Sequence, residues 1–177
     1  MKRKFLKSKK QVVAFIDSQN LNLGTQRMGW KVDWKKFRAF LKDKYKVDSA
    51  YLFIGYLTEN ESMYEYLHDL GFKIVLKPTL TGTKDDLNGN EPKSFVKGNV
   101  DTEIVLMAIK EIKNYSKAII VSADGDFYSL IEYLVSRNKL LNIMSPNWQY
   151  STLLKDFKEY IIDLSKYKKE LSYHGKK

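Results

Sequence analysis

Gln11-Val12-Val13-Ala14-Phe15-Ile16-Asp17-Ser18-Gln19-Asn20 is the stretch of sequence that decides the fold. Its apolar residues run without interruption from Val12 to Ile16, whereas a strand with one solvated face would alternate apolar and polar residues. An uninterrupted apolar run is typical of a strand buried on both faces, as in a parallel sheet covered by helices. The run ends at Asp17, so a carboxylate is expected at the carboxyl end of this strand.

Further apolar segments alternate with helical patterns along the chain. Strands are predicted at 49–57, 72–76, 117–121 and 140–144, and an edge strand at 159–164. Helices are predicted at 33–44, 61–70, 100–112 and 126–136, and a short one at 151–156. This alternation predicts the α/β class, with a parallel sheet and helices on both of its faces.

Two stretches show no clear periodic pattern. Residues 20–30 are predicted to be a loop or an irregular helix start. Residues 77–98 are rich in Thr, Gly, Asp and Asn, and we expect one long connection there. A connection of that length in a compact domain is usually either functional or mobile.

The excess positive charge is confined to the two ends of the chain. The net charge is +10 over 177 residues; residues 1–10 carry six Lys or Arg and no acid, and residues 166–177 carry five Lys and one acid. We therefore expect one neutral domain at 11–165 between a basic N-terminal arm and a basic C-terminal tail. Such arms either attract a phosphate backbone or only increase solubility, and the sequence leaves both open.

Composition excludes several classes of protein. The chain has no cysteine, which rules out disulfides and thiolate metal sites. No segment is apolar over the length that a membrane-spanning helix needs, and the N-terminus lacks the apolar centre of a secretory signal. We expect a cytoplasmic protein with no membrane partner, and a homo-oligomer stays open.

Four carboxylates fall at predicted strand ends or helix starts: Asp17, Asp101, Asp124 and Asp126. Any one of them alone could be an ordinary helix cap or turn residue. In parallel α/β sheets, however, ligands bind at this edge, so the four are expected to meet. Two carboxylates ~6 Å apart repel by roughly 3 kcal/mol at an effective dielectric of about 20, and a helix N-terminus offsets only ~0.3–1 kcal/mol. A bound cation explains such a cluster better than a purely structural role.

The types of ligand indicate which metal would bind. All the expected donors are oxygens, and the one histidine in the body of the chain, His68, falls on a predicted helix away from the cluster. Oxygen-only sites suit Mg²⁺ or Mn²⁺ rather than Zn²⁺. With no histidine or cysteine nearby, a metal-activated water is the expected nucleophile.

Three motifs carry a resemblance to a known family: Phe15-Ile16-Asp17-Ser18-Gln19-Asn20-Leu21, Lys97-Gly98-Asn99-Val100-Asp101 and Val121-Ser122-Ala123-Asp124-Gly125-Asp126-Phe127. Together they resemble the signatures of NYN domains, in particular the LabA-like branch of the PIN-like nuclease superfamily, over about residues 11–145. The resemblance implies a three-layer α/β/α sandwich with a mostly parallel central sheet in the order 3-2-1-4-5. It also implies a hydrolase, specifically a Mg²⁺- or Mn²⁺-dependent ribonuclease.

Residue by residue, the resemblance places Asp17, Asp101, Asp124 and Asp126 at the acidic metal-binding and catalytic positions. We expect Asn20, Lys97 and Ser122 to contact the substrate or a metal-bound water; turn stabilisation by Asn20 and Ser122, and a solvated loop position for Lys97, are equally open. The expected partner is RNA, most readily a single strand cut by an endonuclease.

Three other interpretations of the same residues can be compared with this one. A non-catalytic nucleic-acid-binding or regulatory module could retain this fold, although acids at all four positions favour catalysis. A phosphotransfer enzyme with an aspartyl nucleophile would need a second Asp two residues after Asp17, where the chain has Gln19. A receiver-like regulator fits the motif from Ser122 to Phe127 poorly.

Overall fold

A computed structural model describes residues 11–78, 80–84, 93–97 and 100–175, with the backbone alone for 80–84 and 93–97. The strands are β1 (Gln11–Asp17), β2 (Val47–Tyr56), β3 (Phe72–Pro78), β4 (Leu80–Lys84), β5 (Lys93–Lys97), β6 (Tyr115–Val121), β7 (Leu140–Ser145) and β8 (Ile161–Asp163). The α-helices are α1 (Ser18–Arg27), α2 (Trp34–Tyr45), α3 (Glu61–Asp69), α4 (Asp101–Lys110), α5 (Tyr128–Ser136) and α6 (Lys168–Leu171). Short 3₁₀ segments span Thr58–Asn60, Gly125–Phe127, Thr152–Tyr160 and Leu164–Tyr167.

Six strands form one parallel sheet in the order β3-β2-β1-β6-β7-β8. This confirms the predicted parallel sheet and its order, in which β6 and β7 are the fourth and fifth strands of the expected sheet. It also confirms the predicted edge strand, which is β8. The chain builds β2 and β3 on one side of β1 and then crosses back to place β6 on the other side. The strand order therefore reverses between β1 and β6, and the carboxyl ends of these two strands border a crevice.

The sheet is covered on both faces, so the protein is a three-layer α/β/α sandwich. On one face, Ala14 and Ile16 of β1 pack with helices α1, α2, α3 and α6. On the other face, Val13 and Phe15 pack with α4, α5 and the segment Thr152–Tyr160. Successive residues of a strand point to opposite faces, so an apolar run serves both cores at once.

Residues 20–30 differ from their prediction, because Ser18–Arg27 form helix α1. The helical pattern is hard to see in the sequence because small or polar residues take buried positions in it, Gly24 and Thr25 among them. A Cβ atom at Gly24 would lie 2.4 Å from the Cβ of Pro146, so this turn of the helix needs glycine for its close contact with the segment after β7.

The expected long connection at 77–98 is also different in the structure. β3 continues to Pro78, and β4 and β5 then pair as a separate antiparallel two-stranded sheet. A strand rich in Thr and Gly carries little of the apolar alternation by which strands are recognised. Residues 85–92 of this connection lie outside the described residues.

The basic C-terminal tail, expected from residue 166, is anchored to the domain. Leu171 of α6 is fully buried, and the Asp33 N–H donates to the Leu171 carbonyl oxygen at 2.8 Å. Ser172 forms an isolated bridge with Val32. The basic N-terminal arm, residues 1–10, lies outside the described residues. Within the part of the chain described, none of the helices combines the length and apolar character needed to cross a bilayer.

Helix α2 begins as the sequence predicts, and its cap gives a stability prediction. The Asp33 carboxylate accepts a hydrogen bond from the Lys36 N–H at 3.0 Å. Asp33→Ala should lower the free energy of unfolding by about 1 kcal/mol, because it leaves that donor unpaired. Urea denaturation measures the loss. Asp33→Asn, which retains a capping oxygen, is the control, and equal losses in both variants would contradict the assignment.

Candidate metal centre

The edge of the sheet beside the crevice positions the acidic residues. Because Ile16 of β1 is paired with Val121 of β6, Asp17 and the Ser122–Asp126 turn leave adjacent strands at the same level. Adjacent strands are about 4.8 Å apart, so side chains at these two ends lie within reach of a shared ligand. Asp101 arrives from a distant part of the chain, as the first residue of α4.

Three of the four predicted aspartates meet. Asp101, Asp124 and Asp126 each offer a carboxylate oxygen, and these oxygens all lie within 4.8 Å of one another. Asp101 and Asp124 are half-buried and Asp126 is exposed, so the group opens to solvent on the side of Asp126. Residues from two separate motifs of the sequence thus converge at one point.

Asp17 lies beside this group and is its most deeply buried member, with 6% of its surface exposed. Burial of its carboxylate, which is the largest cause, and the negative charges of Asp101 and Asp124 together raise the pKa of Asp17 to about 6, against the lowering effect of hydrogen bonds from backbone N–H groups. The coupling to both neighbours shows that Asp17 belongs to the same electrostatic site. Its environment disfavours a negative charge that no cation balances.

Hydrogen bonds fix the backbone around the carboxylates. Asp17 accepts from the Asn20 N–H at 3.0 Å and so caps α1. The Asn20 side-chain oxygen accepts from the Ala123 N–H at 3.0 Å, which ties the start of α1 to the turn after β6. Asp124 accepts from the Asp126 N–H at 3.0 Å across the 3₁₀ turn.

These contacts also specify what Asn20 and Ser122 do in the structure. Ser122 is 1% exposed, and its hydroxyl accepts from the Asp124 N–H at 3.2 Å, so it acts on the site by holding the turn. Asn20 is half-buried, and its side-chain oxygen is already used by Ala123. A ligand could therefore reach only its amide nitrogen, a hydrogen-bond donor.

Several helix starts face the acidic cluster. Asp17 caps α1, Asp101 opens α4, and the turn containing Asp124 and Asp126 leads directly into α5. The positive ends of these helix dipoles partly offset the repulsion among the carboxylates, by ~0.3–1 kcal/mol for each group. This offset is smaller than the repulsion of roughly 3 kcal/mol between two carboxylates ~6 Å apart.

For three of the four aspartates, no basic partner is found among the described side chains. Among residues whose side chains are described, no Lys or Arg lies within ion-pair distance of Asp17, Asp124 or Asp126. Lys77 lies close to the start of α4, and its amino group is 2.9 Å from the carboxylate of Glu103. Lys97 ends β5 and its side chain is not described; Gly98 and Asn99 fall outside the described residues.

The donor set fits a hard divalent cation. Every donor in the group is a carboxylate oxygen, the type of ligand that Mg²⁺ and Mn²⁺ prefer. His68, by contrast, is exposed on α3 next to Asp69. A dication at this point would balance the charge that burial and mutual repulsion make unfavourable.

One part of the site was not singled out in the sequence, namely the segment that follows β7. The Ser151 N–H donates to the Ala123 carbonyl oxygen at 3.0 Å, and a Cβ atom at Gly125 would lie 2.4 Å from the Ser151 hydroxyl oxygen. This segment therefore packs directly against the turn that carries Asp124 and Asp126. The sequence could have indicated this segment, because any segment that follows a strand of a parallel sheet leaves from the ligand-binding edge.

Comparisons with known proteins agree with the fold and the motifs. The family model named NYN domain matches residues 11–165. The Low amplitude and bright protein LabA of Synechococcus elongatus is 25% identical over 159 residues, which cover 88% of this chain and 84% of that protein. A solved structure, of a protein of unknown function from Vibrio parahaemolyticus, matches with a TM-score of 0.69 and 24% identity over 88% of this chain and 93% of its own.

The structural match shows a common fold, and the family match spans most of the chain. The matched range includes all four aspartates, both strands that border the crevice and the segment after β7. The chain therefore belongs to the NYN domain family.

Proposed function

We propose that this protein is a metal-dependent ribonuclease that hydrolyses phosphodiester bonds of single-stranded RNA. The observation that supports it best is the group of three carboxylate oxygens within 4.8 Å of one another, beside the buried Asp17, at the strand-order reversal. NYN domains belong to a nuclease superfamily, so the family and the site support the same class of reaction.

The four aspartates have different parts in this proposal. Asp101, Asp124 and Asp126 would hold Mg²⁺ or Mn²⁺, since their oxygens are mutually close. Asp17 is the most buried of the four, and its negative charge would also be balanced by the bound cation. The bound ion would supply a water activated as the nucleophile and would offset charge on the phosphate.

The surrounding residues would bind and orient the substrate. The amide nitrogen of Asn20 would donate a hydrogen bond to the substrate, and Ser122 would keep the Asp124 turn in position. We assign Lys97 to a phosphate contact, because only three residues separate Lys97, the end of β5, from Asp101, the start of α4. The basic arm at residues 1–10 adds positive charge that would attract an RNA backbone from a distance.

Metal binding should stabilise the folded protein. Titration with MgCl₂ or MnCl₂ should raise Tm, because an ion that binds only the native state stabilises it by about 2.7 kcal/mol at 100 times its Kd. Scanning fluorimetry measures the shift. Asp43→Asn, a change at an exposed acid of α2, should leave the shift intact, and Asp126→Asn should reduce it. A melting curve that does not respond to either metal would remove the basis of the proposal.

Loss of one carboxylate should stop the reaction. Asp126→Asn should reduce the cleavage rate by about 100-fold or more, since even changes around metal ligands cost 10–100-fold. The assay incubates end-labelled single-stranded RNA and DNA with Mn²⁺ or EDTA, beside the Asp43→Asn control. RNA binding without cleavage in the wild-type protein would favour the non-catalytic alternative, and normal cleavage by Asp126→Asn would exclude Asp126 from the mechanism.

Asp17 gives a pH dependence that can be checked without metal. In EDTA, the unfolded chain releases the Asp17 proton near its ordinary pKa of 3.8, while the folded protein retains it to about pH 6. The folded state then binds more protons, so its stability falls as pH rises through this window. Asp17→Asn retains a cap for α1 and should make the protein more stable at pH 7 by about 2–3 kcal/mol, at 1.36 kcal/mol per pKa unit.

The gain from Asp17→Asn should shrink as pH is lowered from 7 to 4, and urea denaturation at a series of pH values measures it. Asp33→Asn makes the same chemical change at the cap of α2 and serves as the control. If Asp17→Asn is no more stable than the wild type at pH 7, the carboxylate at this position is not under strain.

A further inference from the structure

Trp148 occupies an unusual position for a tryptophan. The chain has three, of which Trp30 is buried and Trp34 packs edge-on against Phe37 and Phe72. Trp148 is 63% exposed. Single exposed apolar side chains are common on protein surfaces, so exposure alone does not indicate a binding site. What distinguishes Trp148 is where the backbone holds it.

The backbone on both sides of Trp148 is fixed. Asn147 is buried and donates its side-chain amide to the Gly24 carbonyl oxygen of α1 at 2.8 Å. The same side chain accepts from the Gln149 N–H at 2.7 Å, and the Ser145 hydroxyl donates to the Asn147 carbonyl oxygen. A large aromatic side chain is therefore presented to solvent from a rigid turn, which lowers the entropy lost when a ligand binds to it.

The turn also stands beside the candidate metal centre. Pro146 packs against Gly24 of α1, the helix that Asp17 caps. Ser151 packs against Gly125, between Asp124 and Asp126, and the exposed Leu153 contacts the same turn. Trp148 lies between these two contacts in the sequence, in the segment that leaves β7 at the carboxyl edge of the sheet and forms part of the rim there.

We propose that Trp148 is a base-stacking platform of the RNA site, an inference that rests on the proposed function. A phosphodiester held at the carboxylates places the neighbouring nucleotides over the rim, and every base offers a flat apolar face to an aromatic ring. Bases of a duplex are already stacked and paired, and only an unpaired base is free to stack on a side chain. Trp148 therefore selects single-stranded over double-stranded RNA, and it tolerates any base sequence.

Intrinsic fluorescence tests this proposal directly, because Trp148 is the exposed tryptophan. The protein is mixed with a short single-stranded oligoadenylate in Mg²⁺, and emission is read by stopped flow before turnover. Oligoadenylate should quench the emission, whereas an RNA duplex of equal length and inorganic polyphosphate, which has no bases, should not. Trp148→Ala should abolish the quenching and weaken binding, measured by fluorescence anisotropy of a labelled oligoadenylate, by about five- to 150-fold. Trp148→Phe, which retains an aromatic face, should keep most of the affinity.

Tyr66→Ala is the matched control. Tyr66 is 52% exposed on α3, which packs on β3, and three strands separate β3 from β7. This variant should bind as the wild type does. Equal affinity of Trp148→Ala and the wild type would overturn the proposal, as would equal quenching by polyphosphate. A change in oligomeric state of Trp148→Ala with unchanged RNA affinity would overturn it too, in favour of a protein contact.

The outcome is separable from that of the proposed function. Quenching and Trp148-dependent binding without any cleavage would support the base-stacking platform and contradict the proposed nuclease activity. Cleavage that is unaffected by Trp148→Ala, with no quenching, would support the nuclease and remove the platform.

Discussion

Repulsion among carboxylates at one edge of the sheet is the constraint on which the rest of this structure depends. Asp101, Asp124 and Asp126 bring oxygens within 4.8 Å of one another, and burial together with two of these neighbours raises the pKa of Asp17. The fold offsets part of this cost with helix N-termini and backbone N–H donors. The repulsion that is not offset in this way favours the binding of a cation. Strain of this kind is common at functional sites, where a ligand relieves it.

The two apolar cores are what hold this unfavourable arrangement together. Val13 and Phe15 face one core and Ala14 and Ile16 the other, so β1 is fixed from both sides and Asp17 cannot move away from its neighbours. The parallel register with β6 then sets the level at which the Ser122–Asp126 turn leaves the sheet. Stability supplied by packing therefore maintains a site that electrostatics alone would disperse.

The segment after β7 connects the acidic site to its surroundings. It packs against α1 at Gly24 and against the acidic turn at Gly125, and both contacts depend on the absence of a Cβ atom. The same segment carries the exposed Trp148. The acidic site and an exposed aromatic side chain are thus carried by the same edge of the sheet, and a cation bound at the carboxylates would allow this edge to accept an anionic backbone with flat bases. The neutral body and the positive charge of the N-terminal arm are compatible with such a partner.

The sequence by itself determined the α/β class, the start of α2 and the presence of aspartates at the carboxyl edge of the sheet, because each of these follows from local patterns: apolar runs, helical spacing and Asp at strand ends. It did not reveal α1, in which Gly24 and Thr25 are buried, or β4 and β5, because their residues lack the expected periodicity. Only the tertiary structure decided that Asp101 joins Asp124 and Asp126 while Asp17 lies beside them, that Ser122 is enclosed, and that Trp148 is exposed. These outcomes depend on the packing of segments distant in the chain, and local sequence does not record such distances.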